Sequence, residues 1–351
     1  MARQQRIGIL FGAFDPVTRA QVNRFVDVLD SGEPDKLLVL PVPAYPGLSC
    51  AAEAEDRWKM LVAACARDKR IIPCRLALDH ADSDGVALLR VLEKAYPDAK
   101  LYSVSDSGSL TKPEFRCSPP DLSAAGLSRA LAAGKGEDIL DIPVLEYCRC
   151  KGLYGAPGRL DHIDDWMDRL FAALKPRRFA HSLSVAWTSR RLALLHGLDP
   201  LKAEQAGLLH DCAKCVPLPE MQELARNCGL TDDPDILGSS ALLHSLAGAQ
   251  VARDCYGMED PDVLEAIRYH NTGHEGMSRL AMCVCLADSI EPLRFGYSLL
   301  DQVRPLADQS LERVLLLCLR LTADHVLSQG YFLHQRTRDA IRWLQTLPEN
   351  Q

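Results

Sequence analysis

Two adjacent residues, His210 and Asp211, close a short apolar stretch, Ala206–Leu209, and both carry side chains that can bind metals. An imidazole nitrogen and a carboxylate oxygen can together hold a divalent cation such as zinc, iron or manganese. A single His-Asp pair is common by chance, so the rest of the chain decides whether this one is a site.

Four further potential ligands flank the pair, each separated from the next by roughly one helix and one loop. They are His181, His244, His270 and Asp288. Each lies in or beside an apolar pattern with helical spacing. We therefore expect several consecutive helices to present one ligand each to a common centre, as helical bundles do when they build metal sites.

The sequence around these residues falls into short, ordered blocks. They read Arg178-Phe-Ala-His181, Gly207-Leu-Leu-His-Asp-Cys-Ala-Lys214, Leu242-Leu-His244, Ala266-Ile-Arg-Tyr-His270-Asn-Thr-Gly273 and Ala287-Asp-Ser-Ile-Glu-Pro-Leu-Arg294. Together the blocks resemble the HD metal-dependent phosphohydrolase superfamily and, within it, the bacterial symmetrical bis(5′-nucleosyl)-tetraphosphate hydrolases. The resemblance covers about residues 165–345.

The resemblance implies a centre of two divalent metals. Iron is the first choice, although nitrogen and oxygen ligands also suit manganese or zinc. The inner metal would be held by His181, His210, Asp211 and Asp288, and its neighbour by His244 and His270.

The resemblance also implies hydrolysis of diadenosine tetraphosphate to two ADP. Asp211 would take part in catalysis, and Lys214 and Arg294 would neutralise charge on the phosphates. Lys214 follows Asp211 by three residues, on the same helix face, and its plainer reading is a solvated lysine at a helix end. The plainer reading of Arg294 is an exposed ion pair with Glu291, and Arg178 and Arg268 are weaker candidates of the same kind.

Other polar residues of this region have weaker claims to chemistry. For His274, in the Asn-Thr-Gly-His loop, two roles stay open: packing within the fold, or contact with the substrate or a metal. Cys212 and Cys215 lack the second cysteine pair that a zinc site needs, so packing is the preferred reading. His196 is expected to lie at a helix C-terminus, where an imidazolium interacts with the helix dipole.

Composition excludes several protein classes. The 351 residues are 47% hydrophobic and 25% charged, as in ordinary globular proteins, and the length favours two domains. A net charge of −7 argues against a general nucleic-acid binder. With no long apolar run, no signal-peptide pattern and 13 scattered cysteines, we expect a cytoplasmic protein with reduced thiols and no membrane partner. Its partner would be a small nucleotide substrate, and a homodimer is left open.

The first 150 residues alternate short apolar runs with helical patterns. The runs are Arg6–Phe11, Lys36–Pro41, Arg70–Cys74 and Lys100–Val104, and the helical stretches include Glu53–Arg67 and Gly85–Tyr96. Continuous apolar strands separated by helices predict a parallel sheet covered on both faces. We therefore expect a doubly wound, Rossmann-like α/β domain.

The turn after the first apolar run reads Gly8-Ile-Leu-Phe-Gly-Ala-Phe-Asp-Pro-Val-Thr-Arg-Ala-Gln-Val22. It is similar to the opening of nicotinate-nucleotide adenylyltransferases. The similarity implies nucleotide binding by Gly12, Phe14, Asp15 and, from a later block, Arg129. The two histidines that would hold the phosphates are replaced by uncharged Thr18 and Gln21, so we expect no catalysis here. The plainer alternative is a turn that merely starts a helix.

A glycine-rich stretch, Gly152–Arg159, separates this part from a second part with only helical patterns. These patterns cover residues 161–173, about 178–196, 200–210, 239–256, 260–270, 278–294, about 306–329 and 335–347. The sequence thus predicts a nucleotidyltransferase-like domain at 1–155 and an all-α HD phosphohydrolase domain at 160–351. Three rival functions stay open: another HD nucleotide phosphohydrolase or phosphodiesterase, a non-catalytic nucleotide sensor, and a scaffold that keeps a metal for stability. The complete series of ligands argues against the last two.

Overall fold

The computed structural model describes residues 4–43, 50–81, 84–105, 108–115, 117–118, 123–294 and 300–348. The chain forms two compact units, Met1–Asp164 and Asp165–Gln351. The division lies just beyond the glycine-rich stretch Gly152–Arg159, where the sequence predicts the junction between domains.

The first unit contains a mostly parallel sheet. Its strands are β1 (Gln5–Gly12), β2 (Lys36–Pro41), β3 (Ile71–Pro73), β4 (Ala99–Val104), β5 (Leu110–Thr111) and β6 (Cys117–Ser118). Their order across the sheet is β3-β2-β1-β4-β5, and β6 pairs with the end of β1. Every pair is parallel except β4 with β5, which is antiparallel.

The central strands β1 and β2 are buried on both faces, and for this reason their sequences are continuous apolar runs. In β1 every residue from Ile7 to Gly12 is buried, and in β2 every residue from Leu37 to Pro41. The prediction of a doubly wound α/β domain is confirmed. Strands β5 and β6 escape prediction because two residues are too few to show a period.

The helices of the first unit lie between and after the strands. They are α1 (Arg19–Asp30), α2 (Ala54–Cys65), α3 (Leu76–Asp79), α4 (Gly85–Ala95), α5 (Ala124–Ala132), α6 (Gly136–Ile139) and α7 (Ile142–Lys151). A short 3₁₀ helix, Leu153–Gly155, follows α7.

The second unit is built from helices, and its described residues contain no strand. The helices are α8 (Ile163–Ala173), which begins at the end of the first unit, α9 (Pro176–Leu195), α10 (Pro200–Leu209), α11 (Leu218–Cys228), α12 (Pro234–Leu237), α13 (Ser240–Tyr256), α14 (Pro261–Tyr269), α15 (Arg279–Ile290), α16 (Leu300–Val303), α17 (Leu311–Ser328) and α18 (Gln335–Thr346). A 3₁₀ turn, Arg304–Leu306, precedes α17. The all-α prediction is confirmed.

Two details differ from the helices expected from sequence. Helices α11 and α12 fill a region where no helix is predicted, and α15 ends at Ile290 instead of continuing to Arg294. Glu291 stops α15 because it precedes Pro292, and a residue before proline is disfavoured in the helical conformation. None of the helices that the described residues form has both the length and the hydropathy to cross a lipid bilayer.

Three helices of the second unit, α10, α12 and α14, begin with the dipeptide Asp-Pro. Asp199, Asp233 and Asp260 accept hydrogen bonds from backbone N–H groups of the next turn, and proline takes the first helical position. The last residue of α10 is followed by His210, and that of α14 by His270. These caps therefore set the distance from the start of each helix to a candidate ligand.

Candidate metal centre

The second unit brings all six predicted ligands together. His181 lies on α9, His210 and Asp211 directly follow α10, His244 lies on α13, His270 directly follows α14, and Asp288 lies in the last turn of α15. Five of them are buried, and the Asp288 side chain is only 14% exposed. A centre of this kind requires five helices to converge, as the spacing of the ligands predicts.

Asp211 connects two groups of histidines. Its Oδ2 atom lies 3.7 Å from His210 Nε2 and 4.0 Å from His181 Nε2. Its Oδ1 atom lies 3.2 Å from His244 Nε2 and 3.7 Å from His270 Nε2. Each oxygen of one carboxylate thus faces a different pair of imidazoles.

Asp288 completes the first group. Its Oδ1 atom lies 3.0 Å from His181 Nε2 and 3.8 Å from His210 Nε2. In the second group, His244 Nε2 and His270 Nε2 are 3.2 Å apart. The ligand atoms of Asp211, His244 and His270 lie within 4.8 Å of one another, as do those of His181, His210 and Asp211.

Backbone carbonyls fix the orientation of three of these imidazoles. The Nδ1 atoms of His210, His244 and His270 lie 2.7, 3.2 and 2.7 Å from the carbonyl oxygens of Gly207, Ser240 and Ile267. A carbonyl only accepts hydrogen bonds, so Nδ1 carries the proton and donates it. The lone pair on Nε2 is then left to face the centre, as in metal-binding histidines.

Several of these atoms contact one another without forming a hydrogen bond of good geometry among the described residues. His181 Nε2, His210 Nε2 and Asp211 Oδ1 are buried and make no hydrogen bond of acceptable geometry. Leaving a buried polar atom unsatisfied costs about 1–3 kcal/mol. A divalent cation would satisfy these nitrogen and oxygen atoms at once, so the residues present fit a metal centre.

Burial keeps two of these imidazoles, His210 and His270, in the neutral form. Burial lowers the pKa of His210 and of His270, and neutral imidazole is the form that binds a metal. Burial also acts on His181, but contacts with Asp288 and Glu291 outweigh it and raise the pKa of this imidazole to about 9. Burial opposes ionisation of Asp288, yet Arg294 and His181 hold the pKa of its carboxyl well below the usual range.

Glu291 is a site residue that the sequence reasoning missed. Its Oε1 atom lies 3.0 Å from His181 Nδ1, the face of the imidazole that points away from the centre. Glu291 is 1% exposed, and its second oxygen accepts a hydrogen bond from the backbone of Leu293. A carboxylate behind a metal-binding histidine orients the ring and strengthens its basicity. The sequence feature that could have identified Glu291 is its position three residues, about one helical turn, after Asp288.

Three of the four predicted phosphate-binding cations, Lys214, Arg294 and Arg178, lie at the centre, and two details of the prediction are wrong. Lys214 lies in turns after α10, not on a helix face shared with Asp211. Its Nζ atom nevertheless lies 2.9 Å from His244 Nε2 and 3.7 Å from Asp211 Oδ1. Arg294 pairs with Asp288 at 2.6 Å instead of with Glu291.

Arg178, the weaker candidate, also reaches the centre. Its Nη1 atom donates to Asp211 Oδ2 at 3.0 Å. Arg178 comes from the first turn of α9, one turn before His181, so a single helix supplies both a candidate ligand and a cation.

The three remaining candidates, His274, Cys212 and His196, make contacts within the fold. His274 stacks on Tyr269, with ring centroids 4.4 Å apart and planes 11° from parallel. Cys212 is buried and donates to the carbonyl oxygen of Gly248. His196 caps the C-terminus of α9, as expected, and its ring contacts the carbonyl oxygen of Ala307.

In the first unit, the residues predicted to bind a nucleotide are engaged within the fold. The Asp15 carboxylate accepts hydrogen bonds from the backbone N–H groups of Ala51 and Ala52 and from the Tyr154 hydroxyl. The Phe14 ring covers Gly12, where an added Cβ would lie 2.7 Å from the ring. The nucleotide-binding roles of Gly12, Phe14 and Asp15 stay predictions.

Arg129, the fourth predicted nucleotide-binding residue, lies on α5. Its side chain is exposed and donates to the carbonyl oxygen of Ala125, one turn earlier on the same helix. This contact leaves the nucleotide-binding role of Arg129 a prediction as well.

The replaced histidine positions close the start of α1. The Thr18 side chain accepts a hydrogen bond from the backbone N–H of Gln21, and the Gln21 side chain accepts one from the backbone N–H of Thr18. This reciprocal capping box occupies backbone donors that would otherwise be available to an anion at the helix N-terminus.

Comparison with known proteins agrees with both units. The model of the HD domain matches residues 178–293. A Halalkalibacterium halodurans protein named symmetrical bis(5′-nucleosyl)-tetraphosphatase is 36% identical over 47% of this chain and 87% of its own length. A Mycoplasma genitalium protein named probable nicotinate-nucleotide adenylyltransferase/Ap4A hydrolase is 25% identical over 92% of this chain and 99% of its own length. The likeness to nucleotidyltransferases thus extends to the first unit.

A solved structure is similar to the second unit. It is a predicted HD superfamily hydrolase involved in NAD metabolism from Clostridium acetobutylicum, with 39% identity and a TM-score of 0.50. The match covers 52% of this chain and 96% of that protein. From these matches and from the geometry of the ligands, this chain belongs to the HD family of hydrolases that bind divalent metals, together with the proteins named symmetrical bis(5′-nucleosyl)-tetraphosphatases.

Proposed function

We propose that the second unit hydrolyses dinucleoside tetraphosphates symmetrically, converting diadenosine tetraphosphate to two ADP. The observation that carries this proposal is the position of Asp211, with one carboxylate oxygen facing each of two histidine groups. Such an arrangement suits two neighbouring metals. The name of the relative from Halalkalibacterium halodurans supports the substrate.

Each metal has its own set of ligands in this proposal. The first is held by His181, His210, Asp211 and Asp288, and the second by Asp211, His244 and His270. Iron is proposed from the family resemblance, and these nitrogen and oxygen ligands also accommodate manganese or zinc. Two bound divalent cations would lower the pKa of a water molecule and stabilise the attacking and leaving oxygens.

In this proposal, Lys214, Arg178 and Arg294 bind and orient the phosphates. Lys214 approaches from the side of His244, and Arg178 and Arg294 from the side of Asp211 Oδ2 and Asp288. Positive side chains on two sides of the centre would neutralise the charge that develops on the phosphates. Asp211 would contribute to catalysis as a ligand of both metals.

The position of cleavage tests the proposal. Attack at a central phosphorus of diadenosine tetraphosphate gives only ADP, whereas attack beside an adenosine-proximal phosphate gives ATP and AMP. We expect ADP alone among the early products of the metal-loaded protein, separated by chromatography. ATP with AMP would refute the symmetrical assignment. No turnover of diadenosine tetraphosphate, with turnover of a cyclic dinucleotide, would favour the rival phosphodiesterase function.

A further inference from the structure

A basic cavity of about 420 Å³ adjoins the metal centre on one side. Its rim consists of Lys175, Arg177, Arg178 and Arg294, and its floor includes His181 and Glu291. The volume is within the range of roughly 300–1,000 Å³ that is usual for small-molecule pockets. Four cations in one small cavity contrast with the net charge of −7 of the whole chain.

Three of these cations, Lys175, Arg177 and Arg178, lie at the start of α9, where the helix dipole does not favour positive charge. Lys175 is the N-cap of this 20-residue helix, Arg177 and Arg178 lie in its first turn, and the turn contains no acidic residue. The N-terminus of a helix carries partial positive charge, so proteins normally place acidic side chains there. A bound anion would relieve this accumulation of positive charge.

Two of the cations have no protein partner to explain them. Lys175 and Arg177 are exposed, and neither forms an ion pair with another described residue. Arg178 and Arg294, in contrast, contact the candidate ligands Asp211 and Asp288. The cations therefore extend outward from the centre, and the first two are left available to a ligand.

The chemistry of the cavity selects the kind of ligand. His181, which is buried, lines the cavity, and its Nε2 atom lies 3.0 Å from Asp288 Oδ1, within the group of candidate ligands. The cavity therefore opens directly onto the position expected for a metal. Among the lining residues that the structure describes, none apart from this imidazole has an aromatic ring on which a base could stack. A chain of phosphates fits these observations better than a nucleobase does.

We propose that Lys175 and Arg177 form a subsite for the phosphates that extend beyond the metal centre, so that this cavity selects substrates by the length of their phosphate chain. The inference rests on the proposed hydrolysis of dinucleoside tetraphosphates. The metal centre and its adjacent arginines hold the reacting phosphates, and the subsite holds the remaining ones.

The test compares nucleotides with one to four phosphates. The double variant Lys175→Gln/Arg177→Gln is loaded with metal, checked by elemental analysis, and titrated calorimetrically with AMP, ADP, ATP and adenosine 5′-tetraphosphate. We expect no loss of affinity for AMP and a loss that grows to roughly tenfold for the tetraphosphate, since exposed charge contacts are individually weak. KM for diadenosine tetraphosphate should rise by a similar factor, more than kcat falls.

A matched control removes the same charge elsewhere in the unit. Arg313→Gln/Arg320→Gln changes two exposed arginines on α17, and its affinity series should equal that of the wild type. Equal losses for all four nucleotides, no loss at all, or an equal effect in the control would overturn the subsite. If the wild type fails to hydrolyse diadenosine tetraphosphate but the length-dependent series holds, the subsite stands and the proposed reaction falls.

Discussion

Asp211 has one carboxylate oxygen in each histidine group, so its loss should affect both metals. We expect the purified protein to contain up to two transition-metal ions per chain, and His210→Ala or Asp211→Ala to lose most of them. Elemental analysis of the purified variants measures this directly. His274→Ala is the matched control, because His274 stacks on Tyr269, belongs to none of the candidate metal groups among the described residues, and should leave the metal content unchanged. Equal metal content in the wild type and in Asp211→Ala would contradict the assignment of Asp211 as a ligand.

Glu291 acts through His181 and is therefore a positioning residue. Glu291→Gln keeps the size of the side chain and removes its negative charge, which lowers the basicity of the His181 ring. Loss of such an outer partner typically lowers metal affinity by about 10- to 100-fold. Competition with a chelator of known affinity measures the change. A variant that binds metal as tightly as the wild type would leave Glu291 with only a structural role.

At the scale of helices, close packing of α9 and α10 brings His181 and His210 to the same centre. Gly207 on α10 permits this approach, because an added Cβ would lie 2.9 Å from both Ala186 Cα and Val185 O, backbone atoms of α9. Gly207 also holds the His210 ring through its carbonyl oxygen. The geometry of the metal centre therefore depends on glycine at position 207.

Two helical glycines provide a matched test of this packing. We expect Gly207→Ala to destabilise the protein by about 1–3 kcal/mol, the usual cost of overpacking, and to lower its metal content. At Gly248 the nearest atom to an added Cβ is His210 O at 3.4 Å, an ordinary contact. Gly248→Ala should be neutral or stabilising by up to about 1 kcal/mol, since alanine favours helices over glycine. Urea unfolding measures both; equal effects would show that the approach of α9 and α10 is not limiting.

Apolar periodicity sufficed to predict the helices that carry ligands, because an apolar stripe is a local signal. Side-chain partners at the ends of those helices were harder to predict. Lys214 and Arg294 both lie beyond a helix end, where the chain direction depends on turns that have no period. Arg294 therefore reaches Asp288 and leaves Glu291 to His181, which the order of residues alone does not reveal.

At the scale of the whole molecule, the two units differ in whether they contain the groups that their predicted chemistry requires. The second unit has a complete set of metal ligands. In the first unit, Thr18 and Gln21 replace two phosphate-binding histidines and satisfy each other in a capping box. Arg19, which lies between these two positions, does not replace the missing charge, because its side chain donates hydrogen bonds to the Asp141 carboxylate and to the carbonyl oxygen of Leu140. We therefore propose that the first unit has no nucleotidyltransferase activity.

The corresponding prediction is that the protein makes no dinucleotide from nicotinate mononucleotide and ATP. Adenylyl transfer needs preorganised positive charge around the phosphates of ATP, and removing one such stabilising group typically costs about 100- to 1,000-fold in turnover. Here both imidazoles are missing, and Thr18 and Gln21 offer hydrogen bonds but no charge. The assay uses the Asp211→Ala variant, so that hydrolysis in the second unit cannot consume the product. Weak nucleotide binding by itself agrees with this view, whereas synthesis at ordinary enzyme rates would show that the first unit is a working transferase.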